Sequence, residues 1–372
     1  MAAKLKVMLL QTRYIESISY LSEEIANAFP ADRYEVSMIY LEKGEATPEN
    51  IFGKQIFLGL EKTDYNGLRL KAIKKLGAFL KENHFDVIIA NMYKPINLLM
   101  RLRHSITASL CIGIIHAFGE FDRLGRRLMM HWMIDSRWRM VAVSAPLRDY
   151  LIKSRCGLNL QNTVVINNSI DPIAVKHKAI SRLDARQFLG LPQEGFVVGT
   201  IGRSVKGKRQ LELVKAFQQS LGDQQGIYLA IIGDGDQHAE LKSYVLAQGL
   251  QDKVYLPGYV PYAVNYLRAV DLFVFPSEHE GFGMALLEAM ALELPALVNN
   301  VEPLVSIIAD KTFAVDTANL QAFADMLAHC MELSSDQLTK KGSENYQRVT
   351  QFYDVAIYRK SYLDLVDNHF AT

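Results

Sequence analysis

The chain has 372 residues, 49% of them hydrophobic and 22% charged, with a formal net charge of +1. That length suits two domains better than one core, and that composition excludes a disordered chain and gives no reason to expect a nucleic-acid partner. Three cysteines, Cys111, Cys156 and Cys330, are odd in number and far apart, which argues against a disulfide framework or a zinc site and for small buried hydrophobes in a reducing compartment.

The chain opens Met1-Ala-Ala-Lys-Leu-Lys-Val-Met-Leu-Leu, running straight into a strand pattern, so no signal peptide is expected. Strands are predicted at Leu5–Gln11, Tyr34–Tyr40, Val87–Asn91, Leu110–His116, Met140–Ser144 and Val164–Ile166. Several are near-continuous apolar runs, as strands buried on both faces should be. Helical periodicity lies between them, for example at Tyr65–Asn83 and Leu124–Arg137. Pro172 to Arg182 reads as a linker into a short helix, closed by Leu191-Pro192. A second series then predicts strands at Phe196–Gly202, Ile227–Gly233, Val254–Tyr259, Leu272–Pro276 and Ala296–Asn299, and a last helix over Tyr353–Phe370. Alternation of this kind means α/β architecture with doubly wound parallel sheets. The expected domains are 1–171 and 172–352, both Rossmann-like. Ligands of such sheets bind beyond the carboxyl ends of the strands, and two sheets facing one another would make a cleft. The apolar runs are too short to cross a bilayer.

Charge is uneven. The first 171 residues carry 23 Lys/Arg against 17 Asp/Glu, and residues 172–372 carry 18 against 23. A basic first half points either to an anionic partner, such as a phospholipid surface or a phosphorylated acceptor, or to scattered solvated charge. The stretch 118–139 mixes arginines with Met and Trp, and reads either as a segment resting on an anionic membrane or as a core helix with one basic face.

Three segments of the second half share a chemical theme. Gly202-Arg203-Ser204-Val205-Lys206-Gly207-Lys208-Arg209 puts cations at a strand's carboxyl end, with Arg203 offering a planar fork and Lys208 a compact charge to phosphate. Ile232-Gly233-Asp234-Gly235-Asp236 is a tight turn between strand and helix, a poor match to a dinucleotide fingerprint. Pro276-Ser277-Glu278-His279-Glu280-Gly281-Phe282-Gly283-Met284 leads from a strand into a helix that carries Glu288 in its second turn. A helix N-terminus at Met284 would face an anion with free N–H groups. An ionised Glu288 beside a buried sheet needs a partner, and two ribose hydroxyls would serve. Each segment alone is also explained without a ligand, as solvated charge, a turn or a capped helix.

Glu280 and Glu288, with seven residues between them including Gly-Phe-Gly, resemble the paired-glutamate signature of retaining glycosyltransferases with the GT-B fold, family 4 type. Gly202-Arg203 with Lys208, the Gly233-Asp234-Gly235 turn and the Val254–Val260 segment are similar to that family's diphosphate, glycine-turn and base-reading segments. The match is good from Met140 to about Val298 and weak before it. Three departures stand out: the first loop, Gln11-Thr12-Arg13-Tyr14-Ile15-Glu16, lacks the family's paired glycines, Arg209 replaces a common glycine, and Ser169 replaces a usual glycine before Ile170-Asp171.

The resemblance implies a nucleotide-diphosphate-sugar donor as substrate, with no cofactor and no metal. The expected donor site is Arg203, Lys208, Gly233, Tyr259, Val260, Glu280, Gly281, Phe282, Gly283, Met284 and Glu288. Arg203 and Lys208 would stabilise the leaving diphosphate, Glu280 the donor sugar, and His116, ending a strand of the first half, would lie near sugar and phosphate unless it is a satisfied histidine at a strand end. The first domain would take the acceptor, a glycan or lipid-linked glycan, and the last helix would pack back on it. The expected work is surface polysaccharide or lipopolysaccharide synthesis, in the cytoplasm or at the inner face of the plasma membrane. The alternatives are a nucleotide-sugar epimerase or phosphorylase of the same fold, or a non-catalytic nucleotide-sugar-binding scaffold.

Overall fold

A computed structural model describes residues 3–14, 16–44, 54–222 and 224–371, without the side chains of residues 16–18. Met1, Ala2 and Ile15, on which parts of the sequence reading fall, lie outside the described residues. The chain divides into two compact units, Met1–Asn168 with Val355–Thr372, and Ser169–Asp354.

In the first unit the strands are β1 (Leu5–Gln11), β2 (Tyr34–Glu42), β3 (Lys54–Leu60), β4 (Val87–Asn91), β5 (Leu110–Ile115), β6 (Trp138–Ala142) and β7 (Thr163–Val165). Among the described residues they form one parallel sheet in the order β3-β2-β1-β4-β5-β6-β7. β4 and β5 are buried along their whole length, which is why they read as unbroken apolar runs. The helix Val355–Phe370 belongs to this unit and packs on the helix Glu16–Ala26. Arg359 reaches Glu24, and Asp367 accepts from Tyr34 and Arg33.

In the second unit the strands are β8 (Phe196–Ile201), β9 (Ile227–Ile232), β10 (Val254–Gly258), β11 (Leu272–Phe275), β12 (Ala296–Asn299) and β13 (Ala314–Val315). Their parallel order is β10-β9-β8-β11-β12-β13. Val198, Leu229, Ile231, Leu272 and Val274 on one face meet Phe217, Leu241 and Phe323 from the covering helices. The segment read as a linker forms two helices, Pro172–Lys178 capped by Asp171 and Arg182–Leu189 capped by Ser181.

The strand order reverses between β1 and β4 in one sheet and between β8 and β11 in the other. At a reversal the two flanking crossovers leave toward opposite faces, so the loops at those carboxyl ends open a crevice. In the second unit these are the loops that carry Arg203–Arg209 and Pro276–Gly283.

Candidate active site

Three loops at the carboxyl ends of β8, β9 and β10 are stitched together by their backbones. Gly202 N–H donates to Ile232 O at 3.0 Å, Ser204 N–H to Asp234 O at 3.0 Å, and Gly233 N–H to Gly258 O at 2.8 Å. The glycine at 233 is dictated by this approach. Its φ is +144°, and a Cβ there would stand 2.0 Å from Gly202 O. Tyr259 and Val260 follow directly, Tyr259 75% exposed and Val260 buried.

The loop after β11 is tied to the loop after β8 by Glu278 N–H donating to Gly207 O at 2.8 Å. That bond places Glu280 against Lys208, and the two form an ion pair of largely buried side chains. The Lys208 ammonium also lies 5.2 Å from the centre of the Phe275 ring. Arg203 is exposed and makes no side-chain hydrogen bond or ion pair among the described residues. Phe282 is buried against Tyr353, with ring centres 5.7 Å apart, so it supports the turn from beneath. Gly283, at φ +116°, is the N-cap of the helix Met284–Ala291 and supplies no side-chain cap, and the first turn holds no acidic residue. Leu286 and Leu287 N–H close back on Gly283 O, so it is the N–H groups of Met284 and Ala285 that the helix start offers to an outside acceptor.

Glu288 keeps some surface open, yet it has no hydrogen bond or ion pair among the described residues, and burial pushes its carboxyl up to about 7. A carboxylate in that state gains from any ligand that donates hydrogen bonds to it. His279, by contrast, is 81% exposed and lies beside Glu278.

One group escaped the sequence reading. Arg209 adopts φ +49°, the left-handed region where glycine is at ease, which suits the glycine that the family resemblance implies for this position. Its guanidinium pairs with Glu278 at 3.2 Å and donates to Thr317 Oγ1 at 3.1 Å. Thr317 in turn donates to Pro276 O, and Asn299 donates to Ser277 O while accepting from Thr317 N–H. This brace fixes the loop that carries Glu280. Its signal in sequence was the charge at Arg209; Thr317 and Asn299 gave none.

His116 belongs to the first unit, directly after β5. Its Nε2 lies 2.6 Å from Asn91 Oδ1, and Asn91 Nδ2 donates to Ser22 Oγ at 2.7 Å. That orientation of the amide puts the proton on Nε2 and leaves Nδ1 as the acceptor. Burial lowers the pKa of His116 to about 4, so the ring is neutral near pH 7.

The stretch 118–139 divides between its two readings. Trp138 is 1% exposed because strand alternation in β6 turns it into the core. Arg137 is occupied by Asp135 and by the carbonyls of Ile106 and Arg103. Trp132, by contrast, is 78% exposed, on the helix Leu124–Met133 with exposed Leu124 and Leu128. No helix among the described residues is long and apolar enough to cross a membrane.

The chain is similar to known proteins at three levels. The family profile "Glycosyl transferases group 1" matches residues 181–348, and "Glycosyltransferase Family 4" matches residues 20–173. A UDP-Gal:alpha-D-GlcNAc-diphosphoundecaprenol alpha-1,3-galactosyltransferase of Escherichia coli is 23% identical over 320 residues, 80% of each chain. The lipopolysaccharide core biosynthesis glycosyltransferase LpsD of Rhizobium meliloti is 30% identical over 188 residues, 49% of this chain and 52% of its own. The chain spans about half the length of most curated relatives it matches. An Anabaena protein solved in complex with UDP and glucose superimposes with a TM-score of 0.81 and 18% identity, covering 98% of this chain and 99% of its own.

Proposed function

The chain belongs to the group 1 glycosyltransferases and has their GT-B fold, and from that premise we propose that it moves a sugar from a nucleoside-diphosphate sugar to an acceptor hydroxyl with retention of configuration. The observation that carries the reading is the Lys208–Glu280 pair at the β8/β11 reversal, flanked by unpaired Arg203 and by desolvated Glu288. Support for a nucleotide donor comes from the Anabaena protein holding UDP and from the E. coli relative whose name gives UDP-Gal. The same relative and LpsD support work on surface glycans.

In this reading the diphosphate lies over the N-terminus of the helix Met284–Ala291, with Arg203 and Lys208 on its oxygens. Negative charge grows on that group as the bond to the sugar breaks, so fixed cations and N–H dipoles there lower the barrier. Glu288 accepts from the two ribose hydroxyls. The backbone beside Tyr259 and Val260 takes the base, and the Gly233 turn gives the phosphates room. Glu280, released from Lys208, positions the sugar and stabilises its oxocarbenium-like state. The acceptor hydroxyl enters on the face the diphosphate leaves. His116 of the first unit, neutral near pH 7, offers Nδ1 as a hydrogen-bond acceptor to a hydroxyl group. No metal or cofactor is called for, because cations of the chain itself face the phosphates.

The test is a calorimetric and thermal-shift series with UDP-, GDP- and ADP-sugars, followed by a transfer assay on lipid-linked and soluble glycan acceptors. Binding of one nucleotide series raises the melting temperature in proportion to the logarithm of its concentration above Kd. If no nucleotide sugar binds, the reading is wrong.

A further inference from the structure

The first unit holds a second charged cavity, of about 500 Å³, which none of the donor motifs touches. Four arginines line it, Arg69, Arg101, Arg123 and Arg126, with Tyr93 and Asn97. Their counter-charge is small. Arg126 pairs with Glu120 at 3.1 Å, whereas no carboxylate pairs with Arg69, Arg101 or Arg123 among the described residues. Arg69 and Arg101 instead share one neutral acceptor, Asn97 Oδ1. Arg126 and Arg69 both lie over the Tyr93 ring, 4.4 and 5.6 Å from its centre, so one aromatic ring holds two like charges.

The chain gives up favourable energy to build this arrangement. Arg69 sits at φ +62°, in the left-handed region, at the start of the helix Leu70–Glu82. Burial depresses its pKa, and Arg101 and Arg126 add repulsion, against an opposing pull from Tyr93. Its Nε is buried without a hydrogen-bond partner. Concentrated guanidinium charge with an unfilled donor is what a multiply charged oxyanion satisfies, through forked hydrogen bonds. The N-terminus of the helix Leu124–Met133 adds to it. Its first turn has no acidic residue and no side-chain cap, and Gly125 at that turn lines the cavity with no side chain in the way.

We infer that this cavity binds a phosphate or diphosphate ester, the anionic group of the acceptor. The anion site stands on the cavity alone; its assignment to the acceptor rests on the glycosyl-transfer reading above. The same helix also indicates what the ester is attached to. Leu124, Leu128 and Trp132 are spaced four apart, 61%, 49% and 78% exposed, and so form an apolar stripe next to the cavity-lining row of Gly125 and Met129 on the same helix. A phosphate carried on an apolar chain matches both features, the head in the arginines and the chain along the stripe.

The experiment is isothermal titration of the full chain with inorganic diphosphate and with farnesyl diphosphate, each in the presence of saturating UDP to occupy the donor loops. The wild type is expected to bind both, farnesyl diphosphate more tightly, with affinity that falls as salt rises. R69Q, and separately the surface pair R101Q/R123Q, should each weaken binding about tenfold or more, from the loss of charge-assisted hydrogen bonds. K153Q, which removes an exposed charge of the first unit that does not line the cavity, should leave it unchanged, and melting curves of all variants verify that they fold. Arginine variants that bind like the wild type, or an equal loss in K153Q, would overturn the site. Equal affinity for the two diphosphates would overturn the apolar carrier in favour of a soluble phosphate ester. Titration with UDP alone, done first, tests the transfer reading separately: a protein that ignores UDP yet loses diphosphate binding in R69Q has the anion site without the donor reading.

Discussion

The sharpest test of the donor site is Glu288→Gln. Burial moves this carboxyl from the ordinary 4.5 to about 7. Unfolded, it ionises near 4.5; folded, it keeps its proton to about 7. Between those values the folded state binds more protons, so stability falls as pH rises, and the loss is complete above about pH 7. A displacement of that size corresponds to about 3 kcal/mol. Glutamine fills the same space without ionising, so the variant should match the wild type near pH 4 and exceed it by up to about 3 kcal/mol at pH 8. His116 tilts the other way, because a pKa lowered to about 4 makes stability rise with pH; comparing variant with wild type cancels that contribution. Ribose hydroxyls donate best to the ionised carboxylate. UDP should therefore bind more tightly to the wild type at pH 8 than at pH 6, releasing a proton. E288Q should lose about one decade of affinity or more, since hydrogen bonds to a charged group contribute about 1.5–3 kcal/mol each. The assay is thermal unfolding from pH 4.5 to 8.5, with and without UDP. A variant no more stable than the wild type at pH 8, or one that binds UDP unchanged, refutes the reasoning.

Other outcomes follow from the same site and from the basic first unit. Lys208→Ala and Arg203→Ala should each lower turnover by about one to two decades, the worth of one charge-assisted contact to the leaving diphosphate; wild-type kinetics in a transfer assay would remove that role. Activity should persist in EDTA, because cations of the chain serve the diphosphate; complete loss restored by manganese or magnesium would contradict this. The exposed stripe of Leu124, Leu128 and Trp132 beside Arg123 and Arg127 should give weak attachment to anionic vesicles, about 1 kcal/mol for each basic residue at the surface. Sedimentation should show it at low salt and not with neutral lipid.

Much of the fold was legible because the central strands are buried on both faces. β4 and β5 announce themselves as unbroken apolar runs, with ends displaced by only a residue or so. β3 was missed because it is an edge strand, pairing with β2 alone and only partly buried, with a lysine at its start. β13 has two residues and no pattern to read. The helix predicted from Tyr65 starts at Leu70 because Arg69 turns left-handed, and nothing in the local sequence requires that of an arginine. Within the site, Gly202 and Gly233 mark turns that any reader can place, and Glu280 and Glu288 stand out by spacing. The Arg209–Thr317 bond joins residues 108 apart, so only the folded sheet brings it into being. The four-arginine cavity registered only in part. The basic charge of the first half and the arginines of the stretch 118–139 pointed to an anionic partner, but the cavity draws on three stretches of the first unit, and nothing in the sequence joins Arg69 to Arg101, Arg123 and Arg126.

The ion pair of Lys208 with Glu280 gives the donor loops a consistent logic. An unpaired lysine and an unpaired glutamate, both largely buried, would each carry a desolvation penalty, and pairing them removes most of it. Glu288 has no such partner, and its raised pKa is the result. The loop cations therefore differ in readiness. Arg203 is exposed and uncommitted, whereas Lys208 must leave Glu280 to meet a phosphate. In the transfer we propose, a diphosphate would supply Lys208 with a stronger partner and set the Glu280 carboxylate free, in the presence of a sugar whose anomeric carbon becomes positive as the bond breaks. One exchange would thus deliver positive charge to the leaving group and negative charge to the sugar. Glu280→Gln should accordingly free Lys208, tighten the binding of UDP alone and lower turnover, a split that a merely structural Glu280 would not produce.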